Sequence, residues 1–311
     1  MSKIRAMSRV LLAALLLAAA TANQDMTMGM SKVKILAKSG EIQFQRMLGN
    51  TSMLTDPVKI VMEKVVQMTA AGQEVATSTC SGTSLPFGGS TLNPMNMFKT
   101  FADKTFTIAA KQAGQYIPNA NNIKGSMISF SANLGDAVGT LSISATLAEQ
   151  AGEVLIAGEK QPLKMGDMKF NMELSKWKWC GAAGAANAAA FLDLYMKVTS
   201  KVAATLKGSA SDTAAPVAFD LGDNITMSFS KKLKKDKGSW ENMTAGYPKM
   251  DGDLFVLRFP RFTNTIDYDP TVAGDEDDDD ASGDARSGDA SGFKLSVVVT
   301  ALAAVVAYVA L

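Results

Sequence analysis

Apolar and polar residues alternate with a period of two through much of the chain. Ile128, Phe130, Ala132 and Leu134 hold every second position, as do Leu141, Ile143, Ala145 and Leu147. Met168, Phe170, Met172 and Leu174 alternate with Lys169, Asn171, Glu173 and Ser175, and Leu192, Leu194, Met196 and Val198 repeat the pattern. Ile225, Met227 and Phe229 form a shorter run, and Phe255, Leu257 and Phe259 form a late one closed by Pro260. This is the spacing of strands with one face buried. Residues 33–36, 42–48, 60–68 and 98–108 are further candidates. After Lys176 the phase slips by one, into Trp177-Lys178-Trp179-Cys180, which predicts a β-bulge. Roughly ten short strands with turn residues between them predict a mainly β protein, an antiparallel β-sandwich. Periodicity leaves open one extended sandwich or two in tandem across residues 23–274.

Three stretches break the alternation. Residues 181–190 are almost all Ala and Gly, a short helix or a loop. Residues 201–215 are Ala-rich with Ser, Gly and Thr. Residues 231–238 carry Lys231, Lys232, Lys234, Lys235 and Lys237, a basic hairpin-like loop that is either a solvated turn or a contact for an anion or polysaccharide. Trp177 and Trp179 read as core anchors beside Cys180 or, less simply, as a platform for a sugar.

Both ends have the composition of targeting segments. Lys3, Arg5 and Arg9 precede an apolar run and the small residues Ala20-Thr21-Ala22, the pattern of a signal peptide over residues 1–22. At the other end residues 295–311 are seventeen positions without a charge, with no basic residue after them. Upstream, Ser-Gly-Asp-Ala occurs twice among small residues. Small residues, a polar spacer and an apolar tail make a glycosylphosphatidylinositol signal, with Ser282, Gly283 or Ser287 as acceptor. The expected mature protein is held at the extracellular face of the cell membrane by a lipid in the outer leaflet. The alternative is a tail (293–311) retained as a membrane helix.

Composition narrows the chemistry. The 311 residues include no histidine and two cysteines. Ser-His-Asp and Cys-His catalysis, His-ligated metals and thiolate-built zinc sites are therefore excluded. In an oxidising compartment Cys80 and Cys180 are expected to form a disulfide. Asn50, Asn224 and Asn242 head N-glycosylation sequons, with Asn224 at the start of an apparent strand.

Charge changes abruptly near the C-terminus. Residues 23–274 carry 26 basic and 22 acidic side chains, net +4. Six acids follow without interruption: Asp275, Glu276, Asp277, Asp278, Asp279 and Asp280. Their mutual repulsion predicts an extended, disordered acidic stalk over 275–292. Clustered carboxylates attract Ca²⁺, whose preferred ligands are hard oxygens, but with no fold to fix them the affinity is expected to be on the order of millimolar. The other reading is a solvated spacer. Asp251, Asp253, Asp267 and Asp269 could form a built calcium site, although Asp-Gly and Asp-Pro are also ordinary turn chemistry.

Three stretches carry a resemblance. They are Gly166 to Leu174 running into Trp177-Lys178-Trp179-Cys180, then Asp251-Gly252-Asp253 ahead of a strand ending Phe259-Pro260-Arg261-Phe262, then Ile266-Asp267-Tyr268-Asp269-Pro270 before the acidic run. Together they resemble the skeletal aspartic acid-rich and acidic skeletal organic matrix proteins of stony corals, over roughly the second half of the chain. The resemblance implies a secreted, calcium-associated protein deposited in or near carbonate mineral. Only Asp275 to Asp280 correspond to that family's acidic tracts. The chain departs from the pattern in its balance, since residues 23–283 hold 26 basic and 28 acidic side chains, net −2.

The functional expectation is an extracellular, membrane-anchored, calcium-associated matrix protein acting in biomineralisation. It has no tightly bound cofactor and no nucleic-acid partner; Ca²⁺ or carbonate mineral and other matrix or surface glycoproteins are its candidate partners. The alternative is a lipid-anchored surface coat or adhesion glycoprotein in which the acidic run only spaces the domain from the membrane. A carboxylate-based hydrolase is the weakest reading, because no acid and base can be placed within reach of each other. The chain is therefore expected not to be an enzyme.

Overall fold

The alternating runs fold into two antiparallel sheets whose apolar faces meet. The structure is a computed structural model and describes residues 23–47, 53–80, 100–102, 104–117, 123–134, 139–156, 159–207 and 216–274. All of these fall within one compact unit, Met1–Glu276. Strands are numbered β1 to β21 in chain order.

The first sheet runs β1 (Gln24–Met28), β2 (Ser31–Leu36), β3 (Glu41–Arg46), β4 (Val58–Thr69), β12 (Ala189–Thr199), β19 (Leu254–Pro260) and β18 (Lys249–Asp251). The second is centred on β11 (Met168–Ser175). One side of β11 pairs along its length with β8 (Thr140–Ala148), then β7 (Lys124–Asn133), then the short β5 (Thr107–Ile108) and β6 (Gln112–Tyr116). The other side pairs with β20 (Thr265–Tyr268) and β21 (Thr271–Gly274), which lie end to end with only Asp269 and Pro270 between them. The sheet branches there. From β20 it continues to β16 (Lys232–Lys235) and β17 (Trp240–Asn242); from β21 it continues to β15 (Ile225–Phe229), β14 (Val217–Asp220) and β13 (Thr205–Lys207). A separate hairpin joins β9 (Gly152–Ile156) to β10 (Glu159–Leu163). Because β4, β12 and β19 are neighbours, strands from distant parts of the chain share one sheet, and the fold is a single sandwich.

The core is built by the predicted inward positions. Val33, Ile35, Ile42, Phe44, Ile60, Leu192, Leu194, Met196, Phe255 and Leu257 come from the first sheet and are buried against Ile128, Phe130, Ile143, Phe170, Met227 and Tyr268 of the second. Rings cross the interface: Phe255 lies 4.6 Å from Phe219 and 5.0 Å from Phe229, and Phe259 lies 5.7 Å from Tyr268. Burial of each such side chain contributes roughly 1.5–3 kcal/mol. A second, smaller cluster of Ile117, Ile123, Ala148, Val154, Ile156 and Leu163 packs with Trp240 around the β9–β10 hairpin.

One expectation needs correction and two open ones are resolved. The slip after Lys176 is not a bulge: β11 ends at Ser175, and Lys176 takes a left-handed φ of 56° that turns the chain out of the sheet. Irregular register occurs instead between β4 and β12, at Ala189/Phe191 and Tyr195/Met196. Residues 181–188 form turns rather than a helix, and strand structure resumes at Ala189. The basic loop begins as a strand, β16, and only Asp236 and Lys237, both at positive φ, make its turn. The missed strands, among them β1, β13, β17, β18, β20 and β21, are three to five residues long. Periodicity needs more positions than that to register.

Candidate functional site

The acidic run follows directly on β21, so the last described residues set where it leaves the fold. Thr271 and Val272 are buried, and β21 is paired on both sides, with β11 and with β15. Its final residue, Gly274, donates its N–H to the Asp167 carboxylate at 3.2 Å, and the other oxygen of that carboxylate accepts the N–H of Lys164 at 2.7 Å. A Cβ at position 274 would fall on the Arg46 guanidinium, so a larger residue there would have to displace the end of that side chain. Burial pushes the Asp167 carboxyl up to about 6, against the opposing pull of those two N–H groups, Arg46 and Lys164. The run therefore starts from a pinned backbone position beside two cationic side chains. Asp275, Glu276, Asp277, Asp278, Asp279 and Asp280 lie outside the described residues, as do Ser282, Gly283, Ser287 and Asn50, residues 1–22 and the tail 293–311. No described helix is long and apolar enough to cross a membrane.

The four carboxylates considered for a calcium site are not brought together. Asp253 sits at the β18–β19 turn of the first sheet and pairs with Lys197 at 3.0 Å, with both side chains exposed. Asp251 ends β18 in the same turn. Asp267 and Asp269 belong to the second sheet, where Asp267 faces Glu173 across β11–β20 and Lys234 across β16–β20. Burial, then the charges of Glu173 and Asp269, push the Asp267 carboxyl up to about 6, with Lys234 opposing. Asp269 is buried against Lys169 at 3.2 Å. Among the described residues no group of three potential metal ligands converges.

The basic strand is largely used within the fold. Lys235 pairs with Glu241 at 3.6 Å and Lys234 faces Asp267. The turn residue Asp236 accepts N–H donors from Thr263, Asn264 and Thr265. Its slight burial acts upward on the carboxyl, but those three donors hold it below the usual carboxylate range.

Cys80 and Cys180 are joined, with Cα atoms 4.5 Å apart. Cys80 ends a single helical turn, Thr77–Cys80, and Cys180 follows the two tryptophans. The Gln67 side chain fixes that corner, donating to Lys178 O at 3.0 Å and accepting from Cys180 N at 2.8 Å. Trp177 and Trp179 are buried; the Trp179 indole donates to Phe262 O at 2.8 Å and packs edge-on against the Phe262 ring. They are core anchors, and neither presents a face for a sugar.

Asn224 is exposed in the turn before β15, at a left-handed φ of 56°, while Thr226 of its sequon is buried and accepts a hydrogen bond from Lys207 at 2.8 Å. Asn242 is exposed at the end of β17. It borders an open cleft of ≈ 590 Å³ between the edges of the two sheets, lined by Val217, Phe219, Met243, Tyr247 and Met250 among others. No carboxylate lines that cleft, and the Glu173–Asp267 pair lies elsewhere, on the face of the second sheet. Glu63 and Asp253 do share a shallow pocket of ≈ 430 Å³ with Lys64 and Lys197, where Asp253 is taken up by Lys197 at 3.0 Å.

The family model for the acidic skeletal organic matrix protein matches residues 88–307. No curated protein and no solved structure matches the chain.

Proposed function

Since the chain belongs to the acidic skeletal organic matrix protein family, we propose that it is a secreted matrix protein of biomineralisation whose Asp275–Asp280 run gathers Ca²⁺ and docks to cations on a carbonate surface. The observation that carries this reading is the pinned exit at Gly274. Six consecutive acids follow in sequence on a strand paired on both sides, so a load on the run would pass into the second sheet. Arg46 and Lys164 act on Asp167, the carboxylate that holds the Gly274 N–H. Binding is electrostatic and multidentate without fixed geometry, so it is weak and weakens further with salt. The sandwich is a non-catalytic support. In the same proposal the tail is exchanged for a lipid at Ser282, Gly283 or Ser287, which holds the protein at the extracellular face of the membrane.

The test is adsorption of the full secreted protein to calcium carbonate, beside a variant with Asp275 to Asp280 changed to Asn and Glu276 to Gln. Calcium-dependent adsorption that falls at least tenfold in the variant is the expected result. Equal adsorption by both would reduce the run to a spacer and favour a surface coat or adhesion role.

A further inference from the structure

One polar pair in the second sheet is enclosed in a way that simple stability does not explain. Lys169 of β11 is 0% exposed and Asp269, in the link between β20 and β21, is 3% exposed. The Lys169 Nζ lies 3.2 Å from Asp269 Oδ2 and 2.8 Å from Asn171 Oδ1, so the amine is held against the carboxyl by a second acceptor on its own strand. Asp269 is fixed by its own backbone: Pro270 follows it, and Pro270 O accepts the N–H of Phe170, the residue after Lys169. The other charged groups facing the pair are Lys234 from β16, which acts on Asp269, and Asp267 of β20, which faces Glu173. A buried ion pair is commonly no more stable than two apolar side chains of the same volume. Its retention at the centre of a sheet points to chemistry.

Burial shifts both groups in the direction of their reactive protonation states. Burial pushes the Lys169 amine down and the Asp269 carboxyl up, each partly opposed by the charge of the other. Moving the ammonium proton to the carboxylate leaves an amine with a free lone pair beside a neutral acid, in a site without bulk water. Fixed contact between two such groups replaces a bimolecular encounter with an effective molarity that reaches ~10⁵ M or more in well-oriented cases.

We propose that Lys169 and Asp269 join spontaneously in an intramolecular amide bond. The Nζ lone pair attacks Asp269 Cγ and forms the N–C bond. The carboxyl C–OH bond then breaks, its electron pair leaves with the hydroxyl, and a proton from the nitrogen converts that hydroxyl to water. One water is lost, and no oxidant, reductant or cofactor takes part. The bond spans 100 residues, as does the Cys80–Cys180 bridge, and the two closed loops overlap between 169 and 180. A pull on the acidic run would strip β21 and then meet a covalent stop five residues upstream of Gly274, at Asp269.

Peptide mapping of the reduced full-length protein by trypsin and mass spectrometry tests this. The expected product is a branched species joining the peptide from Met165 to Lys176, uncut after Lys169, to the peptide beginning at Phe262, lighter than their sum by one water. It disappears in Lys169→Arg and in Asp269→Ala. Full recovery of three linear peptides, Met165–Lys169, Phe170–Lys176 and the one beginning at Phe262, overturns the proposal. So does loss of ammonia within the Met165–Lys176 peptide, which would assign the reaction to Asn171, or a branched species that persists in Lys169→Arg. The decisive measurement is on the unaltered protein and does not depend on whether a variant folds.

Discussion

Arg258–Asp193 in the first sheet and Lys169–Asp269 in the second are both buried ion pairs, and they behave differently. In the first sheet Arg258 of β19 grips Asp193 of β12 with two hydrogen bonds of 2.6 Å, and the guanidinium stacks over Tyr247 at 4.4 Å. Asp193 is 2% exposed but Arg258 is 11% exposed, so the cation keeps contact with water and an aromatic face. The hydrogen bonds to Asp193 raise the pKa of the Arg258 guanidinium. In the second sheet Lys169 is fully enclosed, makes one contact to the carboxylate, and has its pKa lowered by burial. A guanidinium cannot give up its proton at accessible pH, whereas an ammonium can. The first arrangement therefore stays an ion pair, and the second is driven toward an amine and an acid.

Removing the acid from each pair breaks the comparison most sharply. Asp193→Ala leaves a cation that stays charged, and is expected to cost about 3–5 kcal/mol in a denaturant titration, with little change between pH 6 and pH 9. Asp269→Ala leaves Lys169, whose folded pKa lies below its unfolded value. That penalty is full at low pH and relieved as pH rises through the folded pKa, so the deficit should shrink as pH is raised. A flat profile would mean that the enclosed lysine stays charged.

In the unaltered protein, Asp167 and Asp267 both sit at about 6, above the usual unfolded value. Their favourable contribution is complete below pH ~4 and is lost as pH rises through 6. Asp267 is partly solvated and counts for less than Asp167. Melting should show a gain on the order of 2 kcal/mol on going from pH 7.5 to pH 5. Asp236, held low by its three N–H donors, works in the opposite direction, and its contribution fades only as pH falls further. Trp179→Phe keeps the ring contact with Phe262 but deletes its hydrogen bond, a loss of about 1 kcal/mol by the same titration. At the small end, Lys160 and Glu153 pair at 2.9 Å with more than half of each side chain in water, so Lys160→Ala should change stability by less than about 0.5 kcal/mol.

Much of the sandwich was legible because an alternating strand states its own inward face. Phe170 and Met172 in β11, and Leu192 and Leu194 in β12, are buried as their spacing requires. The disulfide was legible from compartment and parity, although its closure depends on a corner fixed by Gln67, which carried no sequence signal. The exit of the acidic run was visible as a change of composition, but Arg46 and Asp167, which hold it, are 228 and 107 residues from Gly274. Nothing local marks either as its partner.

Lys169 shows where local reading ends. Its phase in β11 places it with Asn171 and Glu173, on the polar side of the strand, yet it is fully enclosed while they are not. Sequence alone determined the β class, the pairing potential of the two cysteines and the concentrated negative charge near the C-terminus, because each follows from neighbouring residues or from simple counts. Tertiary structure decided which polar groups lost their water. Exposure of a side chain depends on what distant segments bring over it, and only when β20 and β21 settle against β11 does an ordinary lysine meet an aspartate in a dry site.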